Sequence, residues 1–276
     1  MGRSIIAAVD GSLEATNAAR SAAALARMLQ KRLVLAVVPP DPRVFPAGDT
    51  WRLEVARRAA VSRAAGVLGA VAEEIEATDL RKRIAFSGDI YGGVAERLAG
   101  LALEEDADLV VIGTRGRGAL AHLARHSISA ALIETCTAPV MVVPAGAELD
   151  GGFSAQTGVL CGVDGSPGSD RAQIVAWELA SALGVEMHPV FVDQLGGFGD
   201  APDGLWVEEG EPASSLADIA AQKGAALVVV GARERVGVAS VARQLIRLSG
   251  VPVVVVSPAA RVPQLAQART RPALAA

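Results

Sequence analysis

Along the chain, short apolar runs alternate with longer stretches in which apolar residues recur every three or four positions. In the first half, residues 4–9, 33–38, 83–86, 109–112 and 140–143 read as strands. The runs at 109–112 and 140–143 are apolar throughout, as expected of strands covered on both faces. Between the strands the spacing predicts helices over residues 14–29, 50–77, 93–105 and 127–136. The second helix sets Leu53, Ala56, Ala60, Ala64, Val67, Val71 and Ile75 along one face. Strand–helix alternation with right-handed crossovers predicts the α/β class and a doubly wound, mostly parallel sheet.

The pattern then repeats. Val9-Asp10-Gly11-Ser12 returns as Val163-Asp164-Gly165-Ser166, and Leu109-Val110-Val111-Ile112-Gly113 as Leu227-Val228-Val229-Val230-Gly231. Pro139-Val140-Met141-Val142-Val143 returns as Pro252-Val253-Val254-Val255-Val256. Three matches in one order indicate a duplicated unit. The expected organisation is a first domain over 1–146, a linker over 147–157, a second domain over 158–258 and a tail over 259–276. Asp10 and Gly113 stand 103 positions apart, Asp164 and Gly231 only 67, so the second unit is expected to lack one helix. The loss falls between Val192 and Leu205, with residues 196–204 expected to form a loop beside a less covered sheet edge. That edge would suit a neighbouring chain, the tail or plain solvation.

Composition narrows the function classes. With 51% hydrophobic and 3% aromatic residues, the interior must be built from Ala, Val, Leu and Ile. A net charge of −4 and the lack of a Lys/Arg block argue against nucleic acid as a main partner. The apolar stretch at 5–9 ends at Asp10, unlike a secretory leader, and no apolar run approaches the roughly 20 residues of a membrane span. Cys136 and Cys161 lie in apolar segments without metal-ligand spacing and are expected to be reduced, packed thiols of a cytoplasmic protein. No metal site is expected.

Open parallel sheets bind ligands beyond the carboxyl ends of their strands, where the strand order reverses. With a flavodoxin-like order, that crevice is expected between the first and fourth strands. Asp10-Gly11-Ser12 and the run Gly113-Thr114-Arg115-Gly116-Arg117-Gly118 follow those two strands. The glycines would let the backbone approach an anion. Ser127 suits a helix N-cap with Ser129 in the first turn, and the helix start favours phosphate. Arg115, Arg117 and Arg125 would add charge-assisted contacts, and Asp10 would accept hydrogen bonds from a base or ribose. Each loop also has an ordinary reading: glycines after strands form turns, and Asp-Gly-Ser caps helices.

Asp10-Gly11-Ser12, Val37-Val38-Pro39, Gly88-Asp89, the spacing from Gly113 and Gly116 to His126-Ser127, and Ala138-Pro139 before the last apolar run resemble the universal stress proteins. The resemblance covers residues 3–144 and 158–257, and implies a Rossmann-like, adenine nucleotide alpha hydrolase-like fold in two five-stranded copies. Its nucleotide motif is similar to G-x2-G-x9-G-[S/T]. It implies that Asp10 contacts the adenosine and that the backbone at Val37 and Ile112 borders adenine. It further implies that Gly113, Gly116, Arg117, Ser127, Ile128 and Ser129 surround ribose and phosphates. The bound species would be ATP, ADP or AMP, with Mg2+ only as companion of a triphosphate. The family also implies antiparallel pairing of last strands, here residues 140–143 with 253–256 inside one chain, with a homodimer as a further option.

Two departures matter. His126 stands where the motif has its third glycine, and either crowds a triphosphate or, protonated, pairs with it. In the second copy Glu234 replaces the second glycine, Ala239 the third, and Ser240 matches Ser127. The stretch from Gly231 to Pro252 is five residues shorter than from Gly113 to Pro139. The second site is therefore expected to be empty. The leading expectation is a non-enzymatic, adenine-nucleotide-responsive regulator without catalytic residues. A nucleotide-free structural module and a phosphate-transferring enzyme are the alternatives. The chain has no Walker-type Gly-Lys-Ser/Thr and no nucleophile elbow, while His122 is a weak candidate base and His188 reads as structural.

Overall fold

The computed structural model describes residues 4–42, 50–87, 93–114, 128–147, 149, 158–196, 202–232 and 241–263. The first half runs β1 (Ser4–Ala8), α1 (Leu13–Met28), β2 (Arg32–Val37), α2 (Thr50–Glu73), β3 (Leu80–Ile84), α3 (Gly93–Glu104), β4 (Ala107–Gly113), α4 (Ile128–Thr135) and β5 (Val140–Val143). The second half runs β6 (Val159–Val163), α5 (Pro167–Leu183), β7 (Met187–Asp193), β8 (Trp206–Glu209), α6 (Pro212–Lys223), β9 (Leu227–Gly231), α7 (Val241–Leu248) and β10 (Val253–Val256). Nothing helical separates β7 from β8 among the described residues, so the counterpart of α2 is missing there, as the shortened spacing implied.

All ten strands join one sheet in the order β3-β2-β1-β4-β5-β10-β9-β6-β7-β8. Each half therefore has the order 3-2-1-4-5, the Rossmann-type half rather than a flavodoxin-like arrangement, and the reversal falls between its first and fourth strands. Every pairing is parallel except the seam, where Val253, Val254 and Val255 of β10 face Val142, Met141 and Val140 of β5 in antiparallel register. Pro139 and Pro252 directly precede β5 and β10, where a missing N–H is tolerated.

One face of the sheet is covered by α1, α2 and α5, whose buried residues form a single cluster running through both halves, from Ile5 and Leu25 to Leu179 and Val254. The opposite face carries α3 and α4 in the first half and α6 and α7 in the second. Ile133 and Ile246 touch both clusters of that face, so the seam is packed on both sides. Connecting segments add to the joint. Ala147 and Leu149, at the start of the expected linker, are buried against α1, with the Leu149 N–H donating to Ser21 Oγ at 3.0 Å. Beyond β10, Ala260 is buried, Arg171 donates to its carbonyl, and the Arg261 N–H donates to Thr137 of the first half.

Helix α2 departs from its predicted face. Ala60, Ala64, Leu68 and Val71 are its buried residues, whereas Leu53 is half-buried and Ala56 exposed. Its first turns overhang the core, with Trp51 and Val55 more than half exposed. Cys136 and Cys161 are buried free thiols, and burial raises the pKa of both. No helix among the described residues is long and apolar enough to cross a membrane.

Candidate functional site

The loop after β1 is built from its own side chains. The Ser12 N–H donates to Asp10 Oδ1 at 2.9 Å, and the Ser12 hydroxyl donates to the same oxygen. Ser12 in turn caps α1, accepting from the Ala15 N–H at 3.3 Å, while Gly11 takes a φ of +87°, a left-handed conformation suited to glycine. Asp10 itself is exposed at the carboxyl edge of the sheet. Its carboxylate thus does two things: it fixes the turn that starts the helix and presents negative charge at the strand reversal.

Gly113 ends β4 beside this loop. A Cβ there would lie 2.4 Å from the Glu14 carbonyl oxygen and 3.0 Å from the Ala15 nitrogen. The missing side chain is accounted for by the close approach of the first turn of α1, which occupies the space that an approaching anion was expected to use. The same contact ties Asp10-Gly11-Ser12 to the end of β4, so the loops flanking the reversal touch through backbone.

Val37 and Ile112, expected to border adenine, are both buried and belong to clusters on opposite faces of the sheet. Val37 packs on the α1 side and Ile112 on the α3–α4 side. The apolar residues sharing the face of Ile112 near the reversal are Ala8 and Val38, both partly exposed. Sequence reasoning passed over these two. Period-two alternation separates Val37 from Val38, but parity alone does not say which face holds which helices.

Ile128 and Ser129 open α4, the first nearly half exposed and the second half-buried. Arg115, Gly116, Arg117, His126 and Ser127, together with Gly118, His122 and Arg125, lie outside the described residues. So do Gly88-Asp89 and, in the second half, Arg233, Glu234, Ala239 and Ser240. The described part of the site therefore contains its nucleoside side: a carboxylate at a strand end and an apolar wall. That chemistry fits a ribose and a flat base.

The second half repeats the first loop closely. The Ser166 N–H donates to Asp164 Oδ1 at 3.0 Å, Ser166 accepts from the Ser169 N–H at 3.2 Å, and Gly165 has φ +70°. A Cβ on Gly231 would come within 2.5 Å of the Gly168 carbonyl. The cap and the close approach are thus kept in the half whose phosphate-side sequence has diverged, which marks them as part of the scaffold as well as of any site.

Elsewhere, His188 lies in β7 and stacks on Trp206 with ring centroids 4.5 Å apart, while the Lys223 ammonium sits 5.3 Å from the Trp206 ring. This supports its structural reading. No group of three or more His, Cys, Asp or Glu suited to a metal ion occurs among the described residues.

Comparison with known proteins follows the same outline. The pattern of the Universal stress protein family matches residues 1–144 and 204–257. A universal stress protein of Mycobacterium tuberculosis is 30% identical over 197 residues, covering 66% of this chain and 60% of its own length. Another, from Mycolicibacterium smegmatis, is 30% identical over 226 residues, covering 77% of this chain and 71% of its own. The chain thus spans 60% of the length of the tuberculosis relative. The crystal structure of a universal stress protein from Archaeoglobus fulgidus superimposes with a TM-score of 0.66 at 16% identity, covering 92% of this chain and 96% of that one.

Proposed function

This chain belongs to the universal stress protein family, and from that premise we propose that its first half binds an adenine nucleotide as a regulatory ligand. The single observation that carries the reading is the strand reversal between β1 and β4. It places the Asp10 carboxylate, the end of β4 at Gly113 and the apolar residues Ala8, Val38 and Ile112 at one carboxyl edge of the sheet. In this reading Asp10 accepts from the ribose or base, and the apolar wall lies along the adenine ring. Gly116, Arg117, Ser127, Ile128 and Ser129 take the phosphates, with Mg2+ present only alongside a triphosphate. ATP is the first candidate, and ADP and AMP the others.

The protein acts without chemistry of its own: the ligand orders the stretch between Gly113 and α4, and that surface reports to a partner in the cytoplasm. The second half serves as the structural counterpart across the β5–β10 seam and carries no ligand. A second reading, a nucleotide-free scaffold, is favoured by one observation: the Asp164 loop has the same geometry as the Asp10 loop in the half that has lost its phosphate motif.

Thermal unfolding with and without ATP, ADP and AMP separates the two. A ligand that binds the native state alone at about a hundred times its Kd stabilises it by roughly 2.7 kcal/mol. We expect a rise in melting temperature with at least one nucleotide, abolished by Gly116→Ala and retained in Gly231→Ala once each variant is compared with its own ligand-free midpoint. No rise with any of the three gives the scaffold reading. Phosphate release that survives Gly116→Ala would mark hydrolysis as foreign to the site.

A further inference from the structure

Helix α2 is 24 residues long, yet its buried residues are Ala60, Ala64, Leu68 and Val71 alone. All four lie on one side. The other side forms a continuous exposed seam of Trp51, Val55, Arg58, Ser62, Ala65 and Gly69, spaced by alternating steps of four and three. That is the spacing of a helix meeting another helix along its length.

Trp51 and Val55 are 62% and 56% exposed. A bulky apolar pair in water on an overhanging turn is a poor arrangement for an isolated helix, which depends on tertiary packing. At the other end, Gly66 and Gly69 stand inside the helix although a Cβ at either would meet nothing within 4 Å. Interior helical glycine costs about 1 kcal/mol relative to alanine, and nothing in this chain requires either one.

From these features we infer that the outer face of α2 is the contact by which two copies of this chain pair as a symmetric, antiparallel dimer. The seam is self-complementary in size and in charge. A two-fold axis beside Ser62 brings Val55 of one copy onto Gly69 of the second, and Arg58 onto Gly66. Large side chains at the start of the helix meet absent ones near its end. The same operation carries the basic start of the helix, with Arg52, Arg57 and Arg58, towards the acidic end at Glu73 and Glu74. Glu54 and Arg58 already pair at 3.0 Å within the helix, and Glu74 holds Arg20 of α1 at 2.6 Å, so the charge pattern orients the encounter rather than supplying the contact.

The counterpart of α2 is missing between β7 and β8, so each chain offers one such face. An isologous contact of this kind closes at two copies and does not propagate. One helix face about 36 Å long is small beside the roughly 800 Å² per partner of a standard interface, so the dimer is weak and dependent on concentration.

Sedimentation velocity of the full chain, from low micromolar to submillimolar concentration, tests this. The wild type is expected to shift from monomer to dimer. Gly69→Leu fills the space meant for Val55 of the second copy while meeting open space in its own chain. It should weaken association at least roughly tenfold with no fall in melting temperature. Ser62→Cys, beside the axis, should form an interchain disulfide on mild oxidation, since Cys136 and Cys161 are buried. A wild type that stays monomeric throughout overturns the proposal. So does a Gly69→Leu variant that dimerises as well as the wild type, or a Ser62→Cys variant that dimerises without cross-linking.

Discussion

Replacing Gly113 by alanine tests the contact that joins the two loops at the strand reversal. The added methyl would sit 2.4 Å from the Glu14 carbonyl oxygen and 2.7 Å from its carbonyl carbon. Both atoms are backbone, so no rotamer change relieves the clash, and the first turn of α1 must move by about 1 Å to restore an ordinary contact. That turn is held by the Ser12 cap and by the buried Ala15, Ala18 and Ala19 behind it. Inserting a methyl into a packed position costs typically 1–3 kcal/mol, and the absence of a flexible neighbour puts this substitution near 3 kcal/mol. For a chain of this size, 1 kcal/mol moves the midpoint by roughly 2–4 °C, so Gly113→Ala should melt about 6–12 °C below the wild type. Calorimetry without nucleotide is the assay, and Gly231→Ala in the second half should fall by a similar amount. A variant that melts with the wild type would mean that α1 does not approach β4 as described, and the geometry of the whole candidate site would fall with it.

The helix caps and the carboxylates give further tests. Ser12→Ala and Ser166→Ala should each cost about 1 kcal/mol, equally in the two halves, as read from urea midpoints; a loss confined to Ser12 would show that the duplicated loops are not equivalent. Glu211 is held below its ordinary pKa of 4.5 by the Ser214 N–H at the start of α6, and Glu104 below it first by the Arg97 hydrogen bond. A depressed native pKa contributes stability above the unfolded value that is lost as pH falls through the native one. Acid unfolding should therefore begin below about pH 4.5, and Glu211→Gln together with Glu104→Gln should flatten that part of the pH–stability curve. An unchanged slope would refute the assignment.

Much of the fold was legible because the buried strands carry unambiguous runs. Residues 109–112 and 140–143 are apolar at every position since both faces of the sheet are covered there, and the repeat then located β9 and β10. Edge strands were harder. β3 begins at Leu80, three residues before its predicted start, because Arg81, Lys82 and Arg83 give it the charged character of a protected sheet edge. On α2 the apolar periodicity was real but continued past the end of the sheet, so it did not tell which turns would find a partner. At the site, Asp10-Gly11-Ser12 could be read as a cap from residue types alone. That Gly113 answers to a backbone four residues beyond Asp10, and that Val37 faces away from Ile112, depends on tertiary placement.

The β5–β10 seam has a consequence for how the two halves evolve. Partners on separate chains must find each other at their cellular concentration, whereas tethered ones meet at an effective concentration in the millimolar range. Val140-Met141-Val142-Val143 and Val253-Val254-Val255-Val256 need only match each other, since neither has to match itself. Covalent linkage thus releases each copy from the demand of symmetry, and one half is free to specialise while the other keeps the shared architecture standing.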